Sequence, residues 1–150
     1  MSVPRTLQMN HVLIVDDDEE MTDTMVRILE TLGPDRMTLY IANDPLTIRV
    51  PLEVDLIVAD YSMPGASGVE VIEGVRRIHP DVRAILVTGY SDLEIAAEAI
   101  NRARVDHFLT KPFNAEELVT VVAEVLAEKR TADLRTRSFS RAQRLLKPSD

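Results

Sequence analysis

Short apolar runs alternate with longer segments of helical periodicity along this 150-residue chain, and that alternation restricts its fold more than any other feature. Val12-Leu13-Ile14-Val15 is continuously apolar and rich in β-branched residues, as a strand covered on both faces must be. Leu56-Ile57-Val58-Ala59 and Ala84-Ile85-Leu86-Val87 repeat the pattern. Met37–Ala42 and Val105–Leu109 complete a set of five strands. Helical segments between strands imply parallel pairing, right-handed crossovers and helices on both faces of one sheet.

The intervening segments carry their own stop and start signals. Glu19 to Leu32 places Met21, Met25, Ile28, Leu29 and Leu32 at helical spacing. Gly33-Pro34 closes it, the glycine as a C-cap. Asn43 to Glu53 holds Pro45 and Pro51, so no more than a turn or two of helix is expected there. Val69 to Ile78 is helical and ends at His79-Pro80. Ser91 or Asp92 is expected to cap a helix through about Arg102, with Glu94 placed for a capping box. Asn114 caps the last helix, whose apolar stripe is Leu118, Val121, Val122, Val125 and Leu126.

Composition narrows the chemistry. The chain has no cysteine, which removes disulfides, thiolate metal sites and thiol nucleophiles. Aromatic content is 4% with no tryptophan, so the core must be aliphatic. A net charge of −8 argues against direct DNA binding. The charge is uneven: residues 129–150 hold seven bases and two acids, leaving −13 on residues 1–128. No apolar run reaches membrane-spanning length, and residues 1–10 lack the order of a signal peptide. A cytoplasmic protein with no membrane contact is expected. Its parts are an N-terminal tail (1–9), one domain (10–128) and a basic, helical C-terminal extension (129–150) with no output domain.

Four of the strands end on polar groups. Asp16-Asp17 follows the first, Asp60 the third, Thr88 the fourth and Lys111 the fifth. In an open parallel sheet the site lies outside the carboxyl ends of the strands. Three carboxylates, a hydroxyl and an ammonium are therefore expected in one small pocket. Crowded carboxylates raise one another's pKa, and a divalent cation relieves the repulsion. All-oxygen ligands suit Mg²⁺, with Mn²⁺ as an alternative. Phosphoryl transfer is the chemistry this favours. Asp60 offers the nucleophilic carboxylate, Lys111 a point charge and Thr88 a hydrogen-bond donor.

Four strings in this order resemble the receiver domain of bacterial two-component response regulators. They are Val12-Leu13-Ile14-Val15-Asp16-Asp17-Asp18, Asp55 to Asp60 with Met63-Pro64-Gly65, Val87-Thr88-Gly89-Tyr90-Ser91-Asp92, and Phe108-Leu109-Thr110-Lys111-Pro112-Phe113. The resemblance covers about residues 10–128. It implies a flavodoxin-like doubly wound (βα)5 three-layer sandwich with a five-stranded parallel sheet.

By this resemblance Asp60 accepts a phosphoryl group from a histidine kinase or phosphotransfer protein. Asp17, Asp60 and the Ser62 backbone carbonyl ligate Mg²⁺, and Asp16 acts largely through metal-bound water. Thr88 and Phe108 form the switch, and Lys111 pairs with the acyl phosphate. Lys111-Pro112 is a cis peptide. Ser62, Gly89 and Tyr90 flank the phosphate. A downstream protein target, or a second copy in a homodimer, reads the switched surface.

The chain is thus expected to act as a phosphoacceptor with self-catalysed transfer and dephosphorylation, not as an enzyme on metabolites. Three other readings stand beside it. One is an aspartyl-phosphate phosphatase of the haloacid dehalogenase type, whose nucleophile pattern is incomplete in Asp16-Asp17-Asp18-Glu19-Glu20. The others are a phosphorylation-independent scaffold and a phosphate sink or relay.

Overall fold

The computed structural model describes residues 10–33, 36–92, 94, 97 and 101–146. The elements are β1 (Asn10–Val15), α1 (Glu19–Glu30), β2 (Met37–Ala42), β3 (Leu56–Asp60), α2 (Gly68–Ile78), β4 (Arg83–Gly89), β5 (His107–Lys111) and α3 (Ala115–Leu146). The five strands form one sheet in the order β2-β1-β3-β4-β5. Every strand pair is parallel. This is the flavodoxin-like order, with its topological switch point at β1 and β3.

Alternation along the strands sorts the core into two layers. Leu13, Val15, Ile57 and Ala59 face Val69, Ile72 and Val75 of α2. Val12, Ile14, Leu56, Val58, Ile85 and Val87 face Met25 and Leu29 of α1 and Leu118, Val122 and Val125 of α3. Both faces of the central strands are covered, so their runs read as apolar without alternation. Full burial of each such side chain contributes about 1.5–3 kcal/mol.

Local signals explain most boundaries. Asp18 caps α1, its carboxylate accepting from the Glu20 and Met21 amides. The end of α1 differs from the expected Leu32. Thr31, Leu32 and Gly33 donate to Ile28, Leu29 and Glu30 carbonyls, a tightened last turn that ends the α-helix at Glu30. Thr31 is the C-cap, and Gly33 follows at φ +111°. Ser67 caps α2 through the Glu70 amide, and Asn114 accepts from the Glu117 amide at the start of α3. The fifth strand starts at His107 rather than Val105, because the Asp106 amide turns aside to the Ala84 carbonyl. Tyr90–Asp92 is a 3₁₀ turn. Residues 94, 97 and 101–103 are helical, and the expected cap and capping box of that segment fall partly outside the described residues.

The connection from β2 to β3 carries no helix, in keeping with an expectation of a turn or two at most. Asp44 instead folds the chain into a tight turn, accepting from the Leu46 amide and the Thr47 hydroxyl. Pro45 and Pro51 remove amides that a helix would use. Ile48, Val50 and Val54 nonetheless cover the sheet on the α2 side. Hydrophobic burial there is met by side chains on an irregular backbone.

The last helix continues without a break through the basic extension to Leu146. Lys129 ties it to the foot of the sheet, lying 3.7 Å from Asp55 and 2.9 Å from Asp133. Among the described residues, no helix is long and apolar enough to cross a membrane.

Candidate functional site

Strand ends bring three acids to one place. Asp16 and Asp17 leave β1, and Asp60 is the last residue of β3. Carboxylate oxygens of the three lie within 4.8 Å of one another. Asp16 is buried to 1% exposure and Asp60 to 8%, while Asp17 opens to solvent. Lys111, the last residue of β5, reaches in from the far side of β4. Its Nζ stands 3.3 Å from Asp60 Oδ1 and 3.5 Å from Asp16 Oδ2. The Lys111–Pro112 peptide bond is cis.

The cup is electrostatically loaded. Burial pushes the Asp60 carboxyl up to about 6; Lys111 opposes this, and the neighbouring Asp16 adds to it. Burial raises Asp16 as well, against the Asp18 amide and Lys111, which favour its charge. Burial disfavours the charge on Lys111, yet Asp60 and Asp16 outweigh it and hold the ammonium above its ordinary range. One cation facing three carboxylates leaves an excess of negative charge. An all-oxygen donor set of this kind fits a hard divalent ion.

The remaining predicted residues lie around this cup. Thr88 is fully buried, and its hydroxyl donates to the Gly89 carbonyl at 3.3 Å rather than to any carboxylate. Gly89 pairs in register with Lys111, so the ends of β4 and β5 are level. Tyr90 opens the 3₁₀ turn directly beyond. Ser62 is exposed, two residues past Asp60. Phe108 is 51% exposed on β5, with its ring turned out of the core.

Two residues that shape the site escaped the sequence reading. Asn43, just past β2, donates from Nδ2 to the Asp16 carbonyl at 2.8 Å and to Thr22 Oγ1 at 3.1 Å. It fixes the backbone of the acidic loop. Its signal was available, since Asn43 is a polar residue at the tip of the remaining strand. Gly68 is the other. A Cβ there would fall 2.3 Å from the Asp60 carbonyl oxygen, so only glycine lets α2 start against the end of β3.

The histidines have structural partners. His11 binds Tyr40 at 3.0 Å and Glu53 at 2.8 Å; His79 meets the Pro51 carbonyl at 2.8 Å; His107 lies 3.6 Å from Glu128. None joins the cup.

Comparison with known proteins matches this arrangement. The model for the response regulator receiver domain matches residues 12–123. The nitrogen assimilation regulatory protein NtrX of Azorhizobium caulinodans is 32% identical over 117 residues, covering 77% of this chain and 26% of that protein. The C4-dicarboxylate transport transcriptional regulatory protein DctD of Rhizobium meliloti is 32% identical over 131 residues, covering 87% of this chain and 28% of that protein. This chain therefore spans about a quarter of the length of these relatives. A CheY-like receiver domain protein from Methanospirillum hungatei superposes with a TM-score of 0.73 at 28% identity, covering 83% of this chain and 99% of the other. Strand order, the acidic cup at the switch point and the family match over residues 12–123 agree: this chain belongs to the response regulator receiver domain family.

Proposed function

We propose that Asp60 is the phosphoacceptor of a two-component signalling system, charged by a histidine kinase or phosphotransfer protein. One observation carries this reading: Asp60, Asp16 and Asp17 cluster within 4.8 Å while Lys111 Nζ sits 3.3 Å from Asp60. An Asp60 oxygen attacks phosphorus, the bond from phosphorus to the imidazole nitrogen breaks with its electron pair staying on nitrogen, and the donor's ring, protonated beforehand on its other nitrogen, leaves as neutral imidazole. The product is an acyl phosphate on Asp60. Lys111 is placed to pair with its oxygens as the charge builds. Asp16, Asp17 and Asp60, with the Ser62 carbonyl, would hold Mg²⁺ or Mn²⁺, which supplies further neutralisation of phosphoryl charge when bound.

The switch is part of the same proposal. Phosphorylation adds about −1.5 to −2 charges and new acceptor oxygens beside a buried hydroxyl. The long bond from Thr88 to Gly89 is a weak one to give up. Thr88 moves toward the phosphoryl oxygens, and Phe108, now turned outward, gains room to enter. A downstream protein reads that surface. The chain performs this transfer on itself and is not an enzyme acting on metabolites; its setting is the cytoplasm.

The test is labelling by a small acyl-phosphate donor with Mg²⁺, read by intact mass. One phosphoryl group is expected on the wild type and none on Asp60→Asn. Stoichiometric labelling of Asp60→Asn would overturn the assignment.

A further inference from the structure

The foot of the sheet, at the opposite end from Asp60, holds a cleft of about 710 Å³. Sites for small molecules span about 300–1,000 Å³. Its walls are the end of α2, the turn into β4, the segment before β5 and the extension of α3. The last wall exists only because α3 runs on unbroken past the sheet. Asp60 is level with Val87, four residues along β4 from Arg83 of the cleft. About 13 Å of strand therefore separates the cleft from the acidic cup.

The chain carries −8 overall, yet six basic side chains line this cleft against four carboxylates. Most of them are committed. Arg102 stands 3.0 Å from Glu73, and Lys129 2.9 Å from Asp133. Asp106 serves two guanidinium groups, Arg83 at 2.9 Å and Arg76 at 3.7 Å, and accepts the Ala84 amide as well. Among the described residues, Arg104 and Arg137 form no ion pair, and the exposed Asp81 is the carboxylate left to offset them. The crowding reaches Arg76. Burial disfavours its charge; Asp106 opposes this, and Arg104 and Arg83 add to it, leaving Arg76 below its ordinary range. The backbone also holds Arg104 in place. Its φ of +52° lies in the left-handed region, which residues with a Cβ rarely adopt. Arg76 fastens that turn by donating to the Ala103 and Arg104 carbonyls. The Arg104 main chain is thus fixed while its guanidinium stays unpaired and exposed.

We propose that this cleft binds a small anion bearing a diphosphate group, held between Arg104 on the loop wall and Arg137 on the helix wall. Guanidinium groups pair with phosphate oxygens through two parallel hydrogen bonds. Two unpaired guanidinium groups on different walls of one cleft call for a ligand with at least two charges. A diphosphate packs that charge into the smallest space, and the rest of the cleft leaves room for an organic group. Binding joins the α3 extension to the segment before β5, two parts that belong to different elements. The site does not rest on the chemistry at Asp60, so Asp60→Asn protein binds the anion equally well.

The experiment is calorimetric titration of the full chain with inorganic pyrophosphate in buffer free of divalent ions, with amide shifts to locate the site. Saturable binding of one pyrophosphate per chain is expected. Arg104→Gln and Arg137→Gln, which break no ion pair, should each raise the dissociation constant about tenfold. Arg130→Gln and Arg141→Gln remove the same charge from the extension outside the cleft and should leave binding unchanged. Amide shifts should move at Arg83, Arg104 and Thr136. No saturable binding of pyrophosphate at millimolar concentration would overturn the proposal. Equal losses in all four variants would do the same, since they would show attraction to diffuse charge. Shifts confined to Asp16, Asp17 and Thr88 would place the anion at the cup and overturn it as well. Succinate binding more tightly than pyrophosphate would overturn the assignment to a diphosphate.

Discussion

The Gly68 Cα hydrogens face the Asp60 carbonyl so closely that a methyl group there would stand 2.3 Å from its oxygen. The start of α2 and the end of β3 are therefore one packed unit, joined also by the Gly68 amide bond to the Tyr61 carbonyl at 3.0 Å. Gly68→Ala must push these backbones apart. The expected loss is about 1–3 kcal/mol in urea unfolding, together with slower phosphorylation because Asp60 is displaced. A variant equal to the wild type in both would show that the contact relaxes without effect.

Asp60 makes stability depend on pH. Its carboxyl is held at about 6, above an ordinary 3.8, so the folded state binds a proton more tightly than the unfolded state. In metal-free protein, stability should fall as pH rises from about 4 to about 6 and level off above that. Asp60→Asn should be more stable than wild type at pH 7.5, by up to about 2–3 kcal/mol, with the difference closing below pH 4. Thermal unfolding in chelator across this range checks the sign. A wild type that gains stability over the same window would contradict it.

Asn43 holds the acidic loop from the side of β2, through 2.8 Å and 3.1 Å bonds to the Asp16 carbonyl and Thr22. Asn43→Ala should cost about 1–2 kcal/mol. It should also weaken Mg²⁺ binding, although Asn43 offers no ligand itself. Calorimetric titration with Mg²⁺ separates the two effects. Unchanged affinity in a destabilised variant would limit Asn43 to the fold.

Thr88 and Phe108 predict separable losses. Thr88→Ala removes a 3.3 Å hydroxyl bond to Gly89 and a buried methyl group, so unphosphorylated stability should fall by about 1–2 kcal/mol. Phosphorylation of Asp60 should still occur in Phe108→Ala, while the conformational response on β5 is lost. Backbone amide shifts of β5, with and without an acyl-phosphate donor, provide the readout. A full response in Phe108→Ala would remove the ring from the switch.

Much of this protein was written in local patterns. Continuous apolar runs named the strands because central strands are covered on both faces and need no polar side. Asn114 marked the start of the last helix because a capping side chain bonds amides within three residues; Asp18 and Ser67 cap α1 and α2 in the same way, although neither was singled out from the sequence. Errors arose where long-range partners decide. β5 begins at His107 because the Asp106 amide is taken by Ala84, a residue 22 positions away. The β2–β3 connection was not such an error: Pro45 and Pro51 already argued against a full helix, and Ile48, Val50 and Val54 cover the sheet without one. Asn43 could have been noticed as the polar tip of β2, but its bond to the Asp16 carbonyl spans 27 residues, and the close approach of Gly68 to Asp60 leaves no local pattern at all.

The order of chemical groups along the chain, and hence the kind of chemistry open to it, is a property of the sequence alone. Polar residues placed at the ends of buried apolar runs must emerge at one edge of a parallel sheet. What only the tertiary structure decided is which tips become neighbours. The strand order sets β1 beside β3 and carries β5 one strand beyond β4. That places an ammonium 3.3 Å from one buried carboxylate and 3.5 Å from another. Coulomb energy and desolvation depend on such distances and on burial, and neither is encoded by spacing along a chain.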